Sequence, residues 1–391
     1  MTVTAPPSLE QEERRRPEDV PAAPARPKRP KAPIWAKITT GLGALLLLTG
    51  GGGVIAVKTV IAQTTSTIAE GNLTGDAAKT TEEGADTGTL KGPIDILLMG
   101  LDARARWAAD ELHSDTIIIL HIPATHDRAY LISIPRDTEV KVPAFGPSKY
   151  NGGTAKATEA FYWGAQNGAG WTGGAQLLAK TLKNLTGISF DGAAIINFGG
   201  FKNVIDQLGG VHMCVDQQVT SHHMVWVGGK PMYTADAKKT GKATKPIVHK
   251  VGCRDMEGWE ALDYARQRYG LKNGDYDRQR HQQQLIKAMA KKAASSGVLS
   301  NPLKISKLIK AAGNSLVLDT NKVAIADFVL GLKGVAANDM VLLRTNSGTF
   351  AGNANGREGV TKESAQMYAA VKKDKLDQFI LANPDVVANE K

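Results

Sequence analysis

Residues 264 to 286, YARQRYGLKNGDYDRQRHQQQLI, gather the densest set of chemically capable groups in the chain. Arg266, Arg268, Arg278, His281, Asp275 and Asp277 fall around one Asn273-Gly274 turn. Guanidinium groups grip phosphate oxygens in bidentate fashion, so arginines beside an apolar face suit a ligand with a phosphate head and a greasy tail. Arg278, His281, Gln282 and Leu285 recur at spacings of three and four, which places them on one side of a helix. Leu285, Ile286 and Met289 give that helix an inward face. Arg266 and Arg268 stand two apart, about 200° around a helix, and converge only where the helix ends near them. The alternative for any arginine-rich stretch is a solvated, charged helix surface.

Two helices must hold these groups. The first begins near Gly258, with Trp259, Leu262 and Tyr264/Ala265 on its apolar side. Asn273-Gly274 breaks it, and Asp275 or Asp277 can cap a second helix that runs from Arg278 to Ala294. Strands are expected at Ile94 to Gly100, Thr116 to Ile122, Tyr130 to Ile134, Ala193 to Phe198, Val211 to Val215 and Met340 to Arg344. Further helices are expected at Lys156 to Gln166, Gly174 to Leu185, Phe201 to Leu208, Lys304 to Ala312, Asn321 to Leu332 and Thr361 to Phe379. Near-continuous apolar strands such as IDILLMG and TIIIL imply a sheet covered on both faces. The fold class is therefore α/β, an α-β-α sandwich around a central mixed β-sheet.

Asp102 closes the first strand and Asp115 opens the second, so two carboxylates can meet at one sheet edge. That pair suits Mg²⁺, which takes one or two carboxylates and completes its shell with substrate oxygens and water. The competing role for strand-end aspartates is in turns and caps.

The order of these motifs carries a resemblance. R-x-R, nine intervening residues, then Arg278 with Gln282 four later and Gly274-Asp275 just before, resembles the LytR-CpsA-Psr family of cell-wall ligases. IDILLMGLDAR, SDTIIILHIP and LISIPRD extend the match upstream, so that it covers roughly residues 92 to 296. The resemblance implies transfer of an anionic glycopolymer from a polyprenyl pyrophosphate carrier to a peptidoglycan sugar hydroxyl, through a phosphodiester link. It implies Arg136, Arg266, Arg268 and Arg278 as the catalytic guanidiniums, Gln282, Asp275 and His281 as substrate-binding groups, and Mg²⁺ on Asp102 and Asp115. Two positions depart from the family pattern: His113 stands where an arginine usually precedes S-D-T, and His281 where one usually precedes the glutamine. His281, sharing a face with Arg278, is expected to feel the bound pyrophosphate. The acceptor hydroxyl needs a base, for which Asp275 or a substrate group is a candidate. The apolar runs Phe161 to Trp163, Leu177 to Leu185 and Val204 to Leu208 line either a lipid tunnel or the core. A pyrophosphatase acting on lipid-linked intermediates, or a membrane-anchored binding protein without chemistry, are the other readings.

The N-terminal region fixes where such chemistry would occur. The first 33 residues hold eight of the 17 prolines and interleave EQEERRR with PARPKRPK, a composition unable to bury enough apolar surface to fold. Residues 1–37 are thus expected as a disordered cytoplasmic tail. Residues 38–57 form a charge-free run of 20, long enough for one transmembrane helix. Arg26, Lys28, Arg29, Lys31 and Lys37 precede it, which keeps the N-terminus cytoplasmic and the rest of this single-pass protein outside the cell membrane. A linker over 58–91, a catalytic domain over 92–383 and a C-terminal tail over 384–391 complete the expected organisation.

The net charge of +10 fits anionic lipid and a polyanionic wall polymer. Nucleic acid is not an expected partner, because no nucleic-acid-binding motif is visible. The two cysteines, Cys214 and Cys253, are expected to be joined in an oxidising compartment. Without a paired histidine nearby they make poor zinc ligands.

Overall fold

The computed structural model describes residues 69–80, 92–101, 112–298, 301–321, 323 and 340–388. The expected tail and membrane-spanning helix, most of the 58–91 linker, most of the Asn321-to-Leu332 helix, and Asp102 lie outside them. Among the described residues no helix is long and apolar enough to cross a membrane.

The chain forms, in order, β1 (Ala69–Glu70), β2 (Ile94–Leu101), β3 (Ser114–Ile122), β4 (Ala129–Ser133), β5 (Glu139–Val142), β6 (Gly153–Lys156), α1 (Ala157–Ala165), α2 (Gly170–Thr186), β7 (Gly192–Asn197) and α3 (Phe198–Gln207). There follow β8 (Val211–Val215), β9 (Val219–Val227), β10 (Lys230–Tyr233), α4 (Thr234–Thr240), β11 (Thr244–His249), β12 (Gly252–Met256), α5 (Gly258–Arg266) and α6 (Asp275–Ser295). The last elements are α7 (Pro302–Ala312), β13 (Leu316–Asp319), β14 (Met340–Leu343), α8 (Lys362–Lys372) and α9 (Leu376–Ala382).

Seven strands make a central sheet in the order β1-β13-β7-β2-β3-β4-β14. It is mixed: β2 runs parallel to β7 and antiparallel to β3, and β4 runs parallel to β14. Strand side chains alternate between faces, and here both faces are apolar. Leu97, Met99, Ile117, Ile119 and Ile132 pack with Phe161, Leu177, Leu178 and Leu182 of α1 and α2. Ile94, Ile96, Ile118 and Leu131 point the other way, against Ile286 and Ala290 of α6. This is the α-β-α arrangement expected from the continuous apolar strands. Helices α1 and α2 approach so closely that a Cβ on Gly164 would lie 2.4 Å from the Gly173 carbonyl oxygen, so only glycine fits there. Of the runs considered for a lipid tunnel, Phe161, Leu177, Leu178 and Leu182 are fully buried in the core. Val204 and Leu208 pack with Val298 and Ile305 in a smaller cluster.

Several boundaries differ from expectation. Residues 69–79, assigned to the linker, belong to the fold: β1 pairs in parallel with β13, Leu73 is fully buried, and the Leu73 and Thr74 amides donate to Asp319. Residues 384–388, assigned to a loose tail, pair with β14, where the Ala388 amide donates to the Leu342 carbonyl at 2.8 Å. The single helix expected over Thr361 to Phe379 is two, α8 and α9, parted at Asp374 with φ 53°. The three-stranded sheet β10-β9-β11 and the β5–β6 pair had no counterpart in the sequence reading.

Candidate active site

The turn expected at Asn273-Gly274 is present, and Gly274 there has φ 53°, where a side chain would be strained. It is also the N-cap of α6, in place of Asp275 or Asp277. Asp277 instead turns back to accept from the Asn273 amide at 2.8 Å. With the turn fixed, the first turn of α6 meets the end of β4 and the start of β3.

Three arginines from separate elements converge on Asp275 Oδ1. Arg278 Nη2 lies 2.6 Å from it, and the Nε atoms of Arg136 and Arg268 each lie 3.9 Å away. Arg136 Nη1 donates to Asp115 Oδ1 at 2.5 Å, and Arg278 Nη2 donates to the Asp115 carbonyl at 3.1 Å. Beside them Lys156 Nζ donates to Asp137 Oδ1 at 2.8 Å.

The pairing in this cluster is incomplete. Arg136 Nε, Arg278 Nε and Asp275 Oδ1 are buried without a hydrogen-bond partner among the described residues. The 2.6 Å approach of Arg278 to Asp275 is therefore a charge contact whose angles fall short of a hydrogen bond. Burial, opposed by Asp275 and reinforced by Arg136, holds the Arg278 guanidinium below its ordinary pKa. Arg136 is driven the other way: burial lowers it, but Asp115, Asp275 and Asp137 outweigh that. Burial raises the Asp137 carboxyl, and the Lys156 bond with the Arg136 charge brings it below its usual range.

A groove of about 590 Å³ opens from this cluster, lined by Arg268, Asp275, Lys156, Glu159, Phe350 and Glu358 among others. Its far wall comes from the loop after β14. Glu358 is fixed there by Tyr276 Oη at 2.6 Å and the Ala351 amide at 3.1 Å, while the Glu139 amide holds the Glu358 carbonyl at 2.8 Å. Burial, with the Glu358 bond, pushes the Tyr276 phenol up, so it stays a donor. Sequence reading missed this wall. Asp137 directly follows Arg136 and was in view; nothing in the 346–360 segment signalled its position.

Not every expected site residue joins the cluster. His281 is fully buried on the other side of α6, where its Nε2 lies 2.9 Å from both Tyr264 Oη and Asp216 Oδ1. Burial, opposed by Asp216, lowers its pKa. The expectation that it senses a bound pyrophosphate is corrected: the spacing was right for a helix, but its flank of that helix faces β8 and α5. Gln282 is buried one turn beyond Arg278. Arg266 lies with its guanidinium 4.1 Å above the Phe198 ring. His113 stacks on Tyr162, with centroids 5.2 Å apart. The Cys214–Cys253 disulfide is present, with an S–S distance of 1.98 Å.

Arginines from three parts of the chain meet at one end of the mixed sheet of an α/β domain, with buried donors left over. The chain belongs to the LytR_cpsA_psr family, whose model matches residues 57–380. It is 27% identical over 376 residues to the cell wall biosynthesis protein LcpA of Corynebacterium glutamicum, a match covering 89% of this chain and 67% of that one. It is 28% identical over 273 residues to the polyisoprenyl-teichoic acid–peptidoglycan teichoic acid transferase TagV of Bacillus subtilis, covering 70% of this chain and 60% of the relative. The chain thus spans about two thirds or less of the length of these relatives. Among solved structures, it resembles the protein gbs0355 from Streptococcus agalactiae with a TM-score of 0.56 at 22% identity, covering 73% of this chain and 88% of that one. A structure of TagT bound to LI-WTA matches with a TM-score of 0.51 at 20% identity, covering 75% and 94%. These two likenesses concern the fold.

Proposed function

We propose that this protein transfers an anionic glycopolymer from a polyprenyl pyrophosphate carrier to a sugar hydroxyl of peptidoglycan. The acceptor oxygen attacks the phosphorus that carries the glycan, the bond from that phosphorus to the polyprenyl phosphate breaks, and the acceptor's proton passes to Asp275 or a substrate oxygen. The observation that carries this reading is the pair of buried donors Arg136 Nε and Arg278 Nε, which have no hydrogen-bond partner among the described residues. Buried donors of this kind require an acceptor, and phosphate oxygens match guanidinium geometry. Donors preset around developing charge stabilise the transition state without reorganising. The names of the TagV and TagU relatives, teichoic acid transferases, support the same reaction class.

Mg²⁺ on Asp102 and Asp115 belongs to the same proposal. Asp115 presents a hard carboxylate oxygen beside the arginines, and Leu101, the residue before Asp102, pairs with Ser114. A Mg²⁺ ion held by Asp102 and Asp115 would add positive charge at the pyrophosphate, with substrate oxygens and water filling its shell. Arg136, bonded to Asp115, would set that carboxylate's orientation. Residues 38–57 would anchor the domain as a single-pass helix, N-terminus inside, with the groove facing the wall. Protease added to intact, wall-stripped cells is then expected to degrade the domain, and a protected domain overturns this topology.

The deciding assay supplies the full-length chain with Mg²⁺, a short lipid-pyrophosphate oligosaccharide and a peptidoglycan oligomer. A joined product is expected. Free phospho-oligosaccharide alone would identify a pyrophosphatase, and substrate bound but unchanged would identify a binding protein.

A further inference from the structure

The ribbon of β8 and β12 carries a group of side chains with no part in the arginine site. In its antiparallel register Cys253 faces Cys214 and Asp255 faces His212. Residues two apart on a strand share a face, so these four side chains stand together on one side of the ribbon. The ligand atoms of His212, Cys214 and Cys253 all lie within 4.8 Å of one another, the only such group of three found among the described residues. Asp255 Oδ1 is 2.9 Å from His212 Nδ1. Both the His212 and Asp255 side chains are well exposed, which leaves the group open to a solute ion.

We propose that this ribbon is a redox-gated zinc site: once the Cys214–Cys253 bond is reduced, Zn²⁺ binds between Cys214, Cys253 and His212, with Asp255 orienting the imidazole. Two thiolates and one imidazole are a ligand set that Zn²⁺ accepts, with water in the fourth position. A carboxylate on the ligating histidine is the usual outer partner and sets its ring orientation. The steps balance. A dithiol reductant gives two electrons and two protons to the disulfide and is itself oxidised to a disulfide. Both protein thiols then release their protons as Zn²⁺ binds. A groove of about 410 Å³ next to Cys214 and His212 is lined by Lys287, Lys291 and Lys292.

The sequence offered no paired histidine within an obvious zinc motif. The strand register supplies one, by setting His212 beside Cys253 as well as Cys214. Clamping this ribbon matters because β12 leads directly into α5, which carries Arg266 and ends just before Arg268. Either bond would hold β8 to β12. The inference is independent of the transfer reaction, since its readout is metal binding.

The test uses the full-length chain, reduced with a dithiol, freed of reductant without air and shown by thiol counting to hold two free thiols. Titration with Co²⁺ as a spectroscopic stand-in is expected to give tetrahedral visible bands and a thiolate-to-metal charge-transfer band, saturating at one equivalent and reversed by Zn²⁺. The oxidised protein is expected to show neither. Asp255→Ala should weaken binding about 10- to 100-fold, and His212→Ala more. No charge-transfer band in the reduced chain overturns the proposal. So does unchanged affinity in His212→Ala, which would show that two cysteines of a loosened chain bind cobalt by themselves.

Discussion

Helix α6 divides two clusters built from the same residue types. On one flank Asp275 and Arg278 meet Arg136 and Arg268 at contacts as long as 3.9 Å, with two guanidinium nitrogens buried and unpartnered. On the other, Arg280 Nη2 reaches Asp216 at 2.5 Å and Asp277 at 3.0 Å, and Asp216 also accepts from Tyr264 Oη at 2.8 Å. The Asp216 carboxyl is held far below its usual range: burial raises it, but His281, Arg280 and Tyr264 together outweigh that. Among the described residues Arg136 Nε, Arg278 Nε and Asp275 Oδ1 are left over on the first flank, whereas on the second both carboxylates and Arg280 are hydrogen-bonded and His281 Nδ1 is left over. The closely paired network holds α6 against β8 and α5; the looser one is where we propose that an anion binds. Residue type does not separate them, whereas the hydrogen bonding of their guanidinium groups does.

The sharpest way to break this contrast is to remove one carboxylate from the closely paired flank. Asp216→Ala leaves the half-buried Arg280 with one of its two carboxylates and should cost about 1–3 kcal/mol of stability in urea unfolding. If it left stability untouched and abolished transfer, the two flanks would have exchanged roles. On the other flank, Arg268→Ala and Arg136→Ala should lower transfer by about 100-fold or more, while shifting unfolding free energy by about 1 kcal/mol or less. Near-normal transfer in both variants would remove the phosphate site from this cluster.

His281→Arg asks the family pattern's question of the structure. A larger, permanently charged side chain in this filled site should destabilise by about 1–3 kcal/mol, and lipid-pyrophosphate affinity is expected to stay level between pH 6 and 8 in both forms. A pH-dependent affinity that the substitution abolishes would return His281 to the ligand. The smallest effect is on acid stability. His281 has a lowered folded pKa, so the unfolded chain takes up its proton first, near a pKa of about 6.5. Asp216, also lowered, adds the same sign below about pH 4. Unfolding free energy should therefore decline as pH falls from about 7 to 5, and His281→Gln should shallow that decline.

Much of the site was legible because its parts are local. The Arg278-Gln282 spacing, the Asn273-Gly274 break and the alternation-free strands are short-range signals, and α6, the turn and β2 to β4 all formed near their expected limits. His281 was misplaced for a geometric reason. Steps of three and four residues land about 60° and 40° to opposite sides of the starting residue, so Arg278 sits between Gln282 and His281, which part to different flanks. Strands β9 to β11 went unread because VTSHHMVWV mixes polar and apolar residues without a clean period. The Glu358 wall depends on a bond to Glu139 across more than 200 residues of chain, and no window of sequence contains it.

Strand β14 closes one margin of the central sheet, and its outward backbone groups do not face solvent alone. Arg344 and Ala388 exchange bonds with Val386 and Leu342, and Val387 bridges to Leu343, so a short tail segment serves as a rail along that margin. A bare strand margin is a template on which another chain can add. Trimming the protein before Val386 would uncover that margin and leave it open to pairing with a second copy.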